Sequence, residues 1–371
     1  MGGGKTMKKI ISALLLMVFV CPAILMADDQ TFNLPIHSRW VTKLKKEKAI
    51  TRRPYQFTSP VIYDSEVYIG TASGYFYALK AGRGRKIWQR RLASGIYSEP
   101  VVEGEHIYVA DRKGIVYSLE RKTGKIEWQV EAGAEISARP VVTTDTIYFA
   151  TTLKQIVAID KEGHGKKWQT AKIGPIPQMT IKGSSAPVLY EGHIYVGYAD
   201  GIFVSYKVET GDIAWVRQLS NKGARFTDID ATPVINDGVI YIPTADGKTY
   251  ALRASDGDII WTIDKGGPND LALENGFLFV SGGGKLSSVK ADTGTLVWEQ
   301  KFDEPEISAP AVKDGLIVIA STKDKIYVVD AATGEIKFKR FLGKGAFGKP
   351  VLVGDTVYIM TNSSRLFALE G

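Results

Sequence analysis

The spacing of tryptophan constrains this chain more than any other feature. Its seven tryptophans fall at 40, 88, 128, 168, 215, 261 and 298, with gaps of 48, 40, 40, 47, 46 and 37 residues, and Phe338 takes the next slot. Self-similarity at this period means stacked supersecondary units that cannot bury their apolar faces alone. Proline keeps step: Pro60, Pro100, Pro140, Pro187, Pro233, Pro310 and Pro350 each open a unit. One unit runs from Pro100 through Ile107-Tyr-Val-Ala and Gly114-Ile-Val-Tyr-Ser-Leu to Thr123-Gly-Lys-Ile-Glu-Trp128. It reads as four short β-rich runs separated by glycine turns. Openings near 60, 100, 140, 187, 233, 271, 310 and 350 give eight units, the sixth with Leu271 where proline is expected.

The two ends complete one another. The last unit stops after three runs, at Leu366-Phe-Ala-Leu369, while Ser38-Arg39-Trp40-Val41 carries the tryptophan slot with no runs before it. Pairing them closes a ring and removes an open sheet edge. The expected fold is all-β: an eight-bladed β-propeller of four-stranded antiparallel blades, one domain over residues 28–371. The chemistry of the unit is structural. Proline suits the start of a first strand, where no ladder donor is yet needed, and a tryptophan repeated once per blade wedges between neighbouring sheets.

Function in a repeat scaffold concentrates where the repeat is broken. Four connections from the tryptophan slot to the next opening proline span 12 residues; Trp40–Pro60 spans 20, Trp168–Pro187 spans 19 and Trp215–Pro233 spans 18. All such connections share one face. Trp168–Pro187 holds Ile173, Pro175, Ile176, Pro177, Met179, Ile181 and Lys182, and Trp215–Pro233 holds Lys222, Arg225, Phe226, Asp228 and Asp230. An apolar ridge beside an Arg/Asp cluster has the anatomy of a protein interface. The alternative reading is that the loops fold back over their own blade ends, with Asp228 and Asp230 capping turns. The Trp40–Pro60 connection carries Lys43, Lys45, Lys46, Lys48, Arg52 and Arg53. It reads as a solvated face, or as a contact with acidic lipid or an acidic partner.

Residues 1–27 read as a signal segment: Lys8 and Lys9 precede the apolar run Ile10–Val20, and Leu25-Met26-Ala27 offers a cleavage site before Asp28. The run is short for a membrane span. Lys5, Lys8 and Lys9 lie in this segment and no acid does, so 44 of the chain's 47 basic residues face 40 acidic ones in the remainder. That balance does not imply nucleic acid. The one cysteine, Cys21, lies within the segment, so disulfides and zinc–thiolate sites are not expected downstream. Lipid attachment at Cys21 would want a small residue before it, and Val20 stands there.

No constellation points to catalysis. His37, His106, His164 and His193 lack metal-ligand spacing, and there is no Gly-x-Ser-x-Gly elbow. Gly4-Lys5-Thr6 follows no strand, and Gly282-Gly283-Gly284 sits between two strands with no helix to receive phosphate. The expectation is a binding scaffold with no catalytic residues, cofactor or metal.

The unit, with its Ile-Tyr-Val-Ala, Gly-x-Val-Tyr-Ala-Leu and Thr-Gly-x-x-x-Trp segments, resembles the repeat of the pyrroloquinoline-quinone enzyme-like propellers, over about Trp40 to Gly371. Within that superfamily the chain resembles the BamB family of the outer-membrane β-barrel assembly (BAM) complex. Gln178-Met-Thr-Ile-Lys-Gly-Ser-Ser-Ala-Pro187 is similar to that family's Ser-Leu-Ser-Leu-Arg-Gly-Glu-Ser-Ala-Pro, and Arg225-Phe-Thr-Asp-Ile-Asp-Ala-Thr-Pro233 to its Arg-Leu-Ser-Asp-Val-Asp-Thr-Thr-Pro. Asn269-Asp270 matches a further Asn-Asp pair. The resemblance implies a non-catalytic periplasmic scaffold at the inner face of the outer membrane, docking the POTRA domains of a BamA-like barrel-inserting subunit and presenting a surface to unfolded outer-membrane proteins. It carries partner contact onto Met179, Ile181, Lys182, Arg225, Asp228 and Asp230. Two departures stand out: the family's lipid-attachment motif is absent at Cys21, and Lys182 replaces an arginine, losing bidentate geometry toward a carboxylate. The competing readings are a generic propeller for periplasmic sensing or polymer binding, and a quinone-dependent dehydrogenase. Those enzymes are longer and commonly carry an adjacent-cysteine disulfide.

Overall fold

Each opening proline stands directly before a strand. In the computed structural model, which describes residues 32–44, 58–174, 183–220 and 226–371, Val61–Tyr63 follows Pro60, Val101–Glu103 follows Pro100 and Val351–Val353 follows Pro350. Proline fits here because its missing N–H falls outside the ladder. Leu271 keeps the register in the sixth unit: it precedes Ala272–Glu274 and is buried between blades.

The described residues form eight four-stranded antiparallel sheets and no helix, the blades of an eight-bladed β-propeller. Seven blades are continuous in sequence. The eighth combines Val351–Val353, Thr356–Met360 and Arg365–Glu370 with His37–Lys43 from the other end of the chain. Trp40 pairs with Ala368 and Lys43 with Arg365. The core lies between blades, not within them, because each sheet is covered on both faces by its neighbours. Eight apolar clusters, one per interface, run round the ring: Tyr108 and Val116 of the second blade meet Ile147 and Phe149 of the third. Tyr358 and Leu366 of the eighth meet Val67 and Tyr77 of the first, so the ring closes. First strands of neighbouring blades touch near the axis, as between blades one and two, six and seven, and seven and eight.

The tryptophans occupy these interfaces. Opposite each stands a small residue on the third strand: Ala78 for Trp88, Ser118 for Trp128, Ser205 for Trp215 and Ser288 for Trp298. Where phenylalanine takes the slot, the partner grows: Phe338 faces Val328. The ring nitrogen of Trp215 donates to the Ala254 carbonyl at 3.0 Å, and that of Trp298 to Ala331 at 3.0 Å, each in the next blade. The following turn must approach the indole closely. A Cβ on Gly334, where φ is +77°, would sit 2.6 Å from Trp298, so glycine serves both the backbone and the contact. Blade three departs: His164, at φ +53°, takes the glycine's place and stacks on Trp128 with centroids 5.2 Å apart.

The signal segment with Cys21 and the basic run Lys45–Arg53 lie outside the described residues. No helix among the described residues is long and apolar enough to cross a membrane.

Candidate functional site

Antiparallel blades that all start alike place their fourth-to-first connections, and their second-to-third turns, on one face. The two long connections around blade four emerge there. Ser185, two residues before Pro187, accepts the Gly197 N–H at 2.9 Å, pinning the first long connection to the end of a second strand. The second is pinned by Ile229, whose N–H donates to the Tyr198 carbonyl at 3.1 Å and whose side chain is fully buried. Gly197 permits this, since a Cβ there would collide with Ile229. Thr227 donates its hydroxyl to the Ala199 carbonyl at 2.8 Å.

Asp228 and Asp230 are 1% and 3% exposed. The Asp228 carbonyl accepts the Ala245 N–H at 2.9 Å. The Asp230 carboxylate accepts the Gly183 N–H at 3.1 Å, tying the second long connection to the first across blade four. The same device continues round the channel mouth. Asp270 accepts the Thr232 N–H at 2.7 Å, and Asn269 donates to the Ile307 carbonyl at 2.9 Å. Asp230, Asp270 and Asn269 thus stitch four successive connections into one rim. A carboxylate that accepts backbone N–H groups in a buried setting is expensive to lose, because its removal orphans the donors. Their seating inside the rim matches the reading in which the loops fold back over blade ends. Of the other residues carried over from the resemblance, Met179, Ile181, Lys182 and Arg225 lie outside the described residues.

Inside this rim lies a cavity of about 240 Å³, lined by Tyr97, Glu99, Arg112, Arg139, Asp230 and Asp270 among others. Arg112 is occupied: it makes two bonds to Glu135, at 2.7 and 3.3 Å, and sits 5.1 Å over the Tyr97 ring. Glu135 and this geometry hold its guanidinium above its ordinary pKa. The carboxylates Glu99, Asp230 and Asp270 outnumber the remaining cation, Arg139, so the mouth favours positive charge. Among the described residues no group of His, Cys, Asp or Glu is arranged to hold a metal ion. Sequence reasoning marked Asn269 and Asp270 only through the resemblance. Their stitching role had no signal of its own, since the partners are backbone groups in other blades.

A family model described as outer membrane protein assembly factor BamB matches residues 72–282 and 245–371. The outer membrane protein assembly factor BamB of Yersinia pestis is 27% identical over 200 residues, 52% of this chain and 51% of that protein. The chain spans about half the length of the curated relatives it matches. The crystal structure of BamB from Moraxella catarrhalis is similar with a TM-score of 0.78 at 18% identity, covering 91% of this chain and 100% of that one. The quinohemoprotein alcohol dehydrogenase of Comamonas testosteroni shares the fold, with a TM-score of 0.73 at 12% identity, over 90% of this chain and 76% of that one.

Proposed function

Because the chain belongs to the outer membrane protein assembly factor BamB family, we propose that it is a non-catalytic scaffold of the machinery that assembles β-barrel proteins into the outer membrane. It works in the periplasm, at the inner face of that membrane, and docks the POTRA domains of a BamA-like barrel-inserting subunit. The observation that carries this reading is the clasp between Asp230 and Gly183. It holds the described ends of the two long connections around blade four to one another on the same face, and these connections carry Met179, Ile181, Lys182 and Arg225 in sequence. Met179 and Ile181 supply the apolar anchor, and Lys182 and Arg225 its charged border. Asp228 and Asp230 act from beneath, by fixing the loops and by lending negative potential to the channel mouth. Unfolded outer-membrane proteins are the cargo that such a disc presents to the insertase.

The dehydrogenase reading shares the fold but finds weaker chemistry here. Asp230 and Asp270 at the channel mouth are engaged by backbone amides of the rim, and no cysteine follows Cys21. The test is co-purification from detergent-solubilised outer membranes. The wild-type chain should retain the barrel-inserting subunit, while a Met179→Asp/Ile181→Asp variant with unchanged circular dichroism should lose it. Charge reversal at Lys45 and Lys46 should leave it bound. Retention by the folded double variant would place the docking site elsewhere.

A further inference from the structure

The turn between the second and third strands closes the same way in six blades. The N–H of its fourth residue donates to the carbonyl three residues back, as from Gly74 to Thr71 at 2.8 Å, Gly201 to Tyr198 at 3.1 Å and Gly247 to Thr244 at 3.0 Å. That fourth residue lies in the left-handed region, which glycine enters without a Cβ clash. Gly74, Gly114, Gly201 and Gly247 hold it in blades one, two, four and five, and Ser364 in blade eight. In blade three Lys154 takes the position, at φ +56°, and still donates to Thr151 at 3.0 Å. A long side chain at positive φ is strained, and such strain persists only where the surroundings enforce it.

Lys154 is 1% exposed, and its ammonium meets the carboxylate of Asp200, in the equivalent turn of blade four, at 2.5 Å. A buried lysine keeps its charge only against such a partner. The sequence explains why Asp200 is available. Where the turn begins with threonine, its hydroxyl bonds to the third residue: Thr71 to Ser73, Thr244 to Asp246 and Thr361 to Ser363. Blade four begins its turn with Tyr198, whose hydroxyl lies 3.2 Å from that of Tyr206 in the core between blades three and four. Asp200 has no threonine at hand and reaches the neighbouring blade instead. Its second oxygen is buried with no hydrogen-bond partner among the described residues, so the Lys154 ammonium is its main counterpart.

These two turns seat the two long connections around blade four. The blade-three turn packs against Trp168–Pro187, where a Cβ on Gly183 would come within 2.8 Å of Thr152. The blade-four turn holds Trp215–Pro233, through the Thr227 hydroxyl on the Ala199 carbonyl and the Ile229 N–H on the Tyr198 carbonyl. Gly183 and Asp230 join the connections to one another, and Lys154 and Asp200 join the turns that carry them. The contacts form a closed circuit.

On the basis of the docking role given above, we propose that Lys154 is a positioning residue. Its buried ion pair with Asp200 sets the spacing of the two turns, and through them the placing of the connections that carry Met179, Ile181, Lys182 and Arg225 in sequence. A turn needed for stability alone would use glycine, as four other blades do, and avoid both the strain and the buried charge.

The test compares the purified chain with Lys154→Gly/Asp200→Asn, which gives the turn its neighbours' glycine and leaves no lone carboxylate. Ser364→Gly, the same change in blade eight, is the control. Amide exchange in the free protein, urea unfolding, and affinity for the purified periplasmic portion of the barrel-inserting subunit are measured. In the double variant the amides of Gly183 and Ile229 should exchange about tenfold faster. Affinity should fall by about tenfold, as fewer molecules hold the docking arrangement, while the urea midpoint stays close to wild type because relieved strain offsets the lost pair. Lys154→Met, which keeps the bulk and the strained turn without the charge, should weaken docking in the same way. The control should leave these amides and the affinity unchanged. Wild-type exchange at Gly183 and Ile229, acceleration spread evenly over all blades, or faster exchange with unchanged affinity would overturn the proposal. A wild-type chain that fails to bind the subunit would overturn the docking role instead, and the exchange rates would still decide whether the pair holds the connections.

Discussion

Replacing Trp215 tests how the ring is held together. Its indole is 9% exposed, lies 5.8 Å from the Tyr195 ring and 5.9 Å from Phe203, and covers Gly257 of the next blade. Trp215→Ala should therefore cost about 3–5 kcal/mol, the range for emptying a large aromatic site. The lost hydrogen bond adds little, because the Ala254 carbonyl also receives the Tyr195 hydroxyl at 3.1 Å. Blade seven suggests a sharper version, since there Phe338 is matched by Val328 where blade four has Trp215 and Ser205. Trp215→Phe alone should cost about 1–3 kcal/mol through the gap it leaves, and Ser205→Val alone about 1–3 kcal/mol by overpacking against the indole. Combined, they rebuild the pairing of blade seven, and the double variant should be at least 1 kcal/mol more stable than the sum of the single losses predicts. Urea unfolding followed by circular dichroism gives each value. Strict additivity, or a near-neutral Trp215→Ala, would refute the view that each tryptophan and its cross-strand partner fill one shared inter-blade volume.

Two further outcomes follow from the same architecture. Removing residues through Lys43 takes away the fourth strand of blade eight and bares the edge of Arg365–Glu370. The truncated chain should aggregate or melt well below the full ring, as size-exclusion chromatography and thermal scans would show. Glu299 sits between Lys265 of blade five and Lys285 of its own blade, and hydrogen bonds from these two ammonium groups pull its carboxyl down to about 2. That stability is present above the ordinary carboxylate value near 4.5 and is lost as pH falls through about 2. Glu299→Gln should be less stable at pH 7 by about 1 kcal/mol after solvent screening, with the gap to wild type closing between pH 4.5 and 2 in urea titrations.

The ring was legible in the sequence because its determinants recur. Tryptophan and proline mark every blade at nearly constant spacing, and the orphan Trp40 segment and the three-stranded last unit announce their pairing. What the sequence did not disclose depends on partners in other blades. The small residues opposite each tryptophan are ordinary Ala and Ser until the register is known. The glycines of the Thr-Gly turns read as positions for positive φ, whereas Gly334 is also held by the approach of Trp298. At the candidate site, the long connections were visible as breaks in the repeat, but Asp228 and Asp230 read either as part of an interface cluster or as caps of turns in their own loop. Asp230 instead reaches 47 residues back to a backbone amide, a contact that composition cannot signal.

Hydrogen exchange of the purified chain, alone and with the purified periplasmic portion of the barrel-inserting subunit, tests the proposed role most directly. Binding should protect amides in residues 171–187 and 219–233, the connections joined by Asp230 and Gly183, while the Thr-Gly turns on the opposite face of the disc exchange as in the free protein. Protection confined to those turns or to the outer strands, or no protection at saturating partner, would contradict the account.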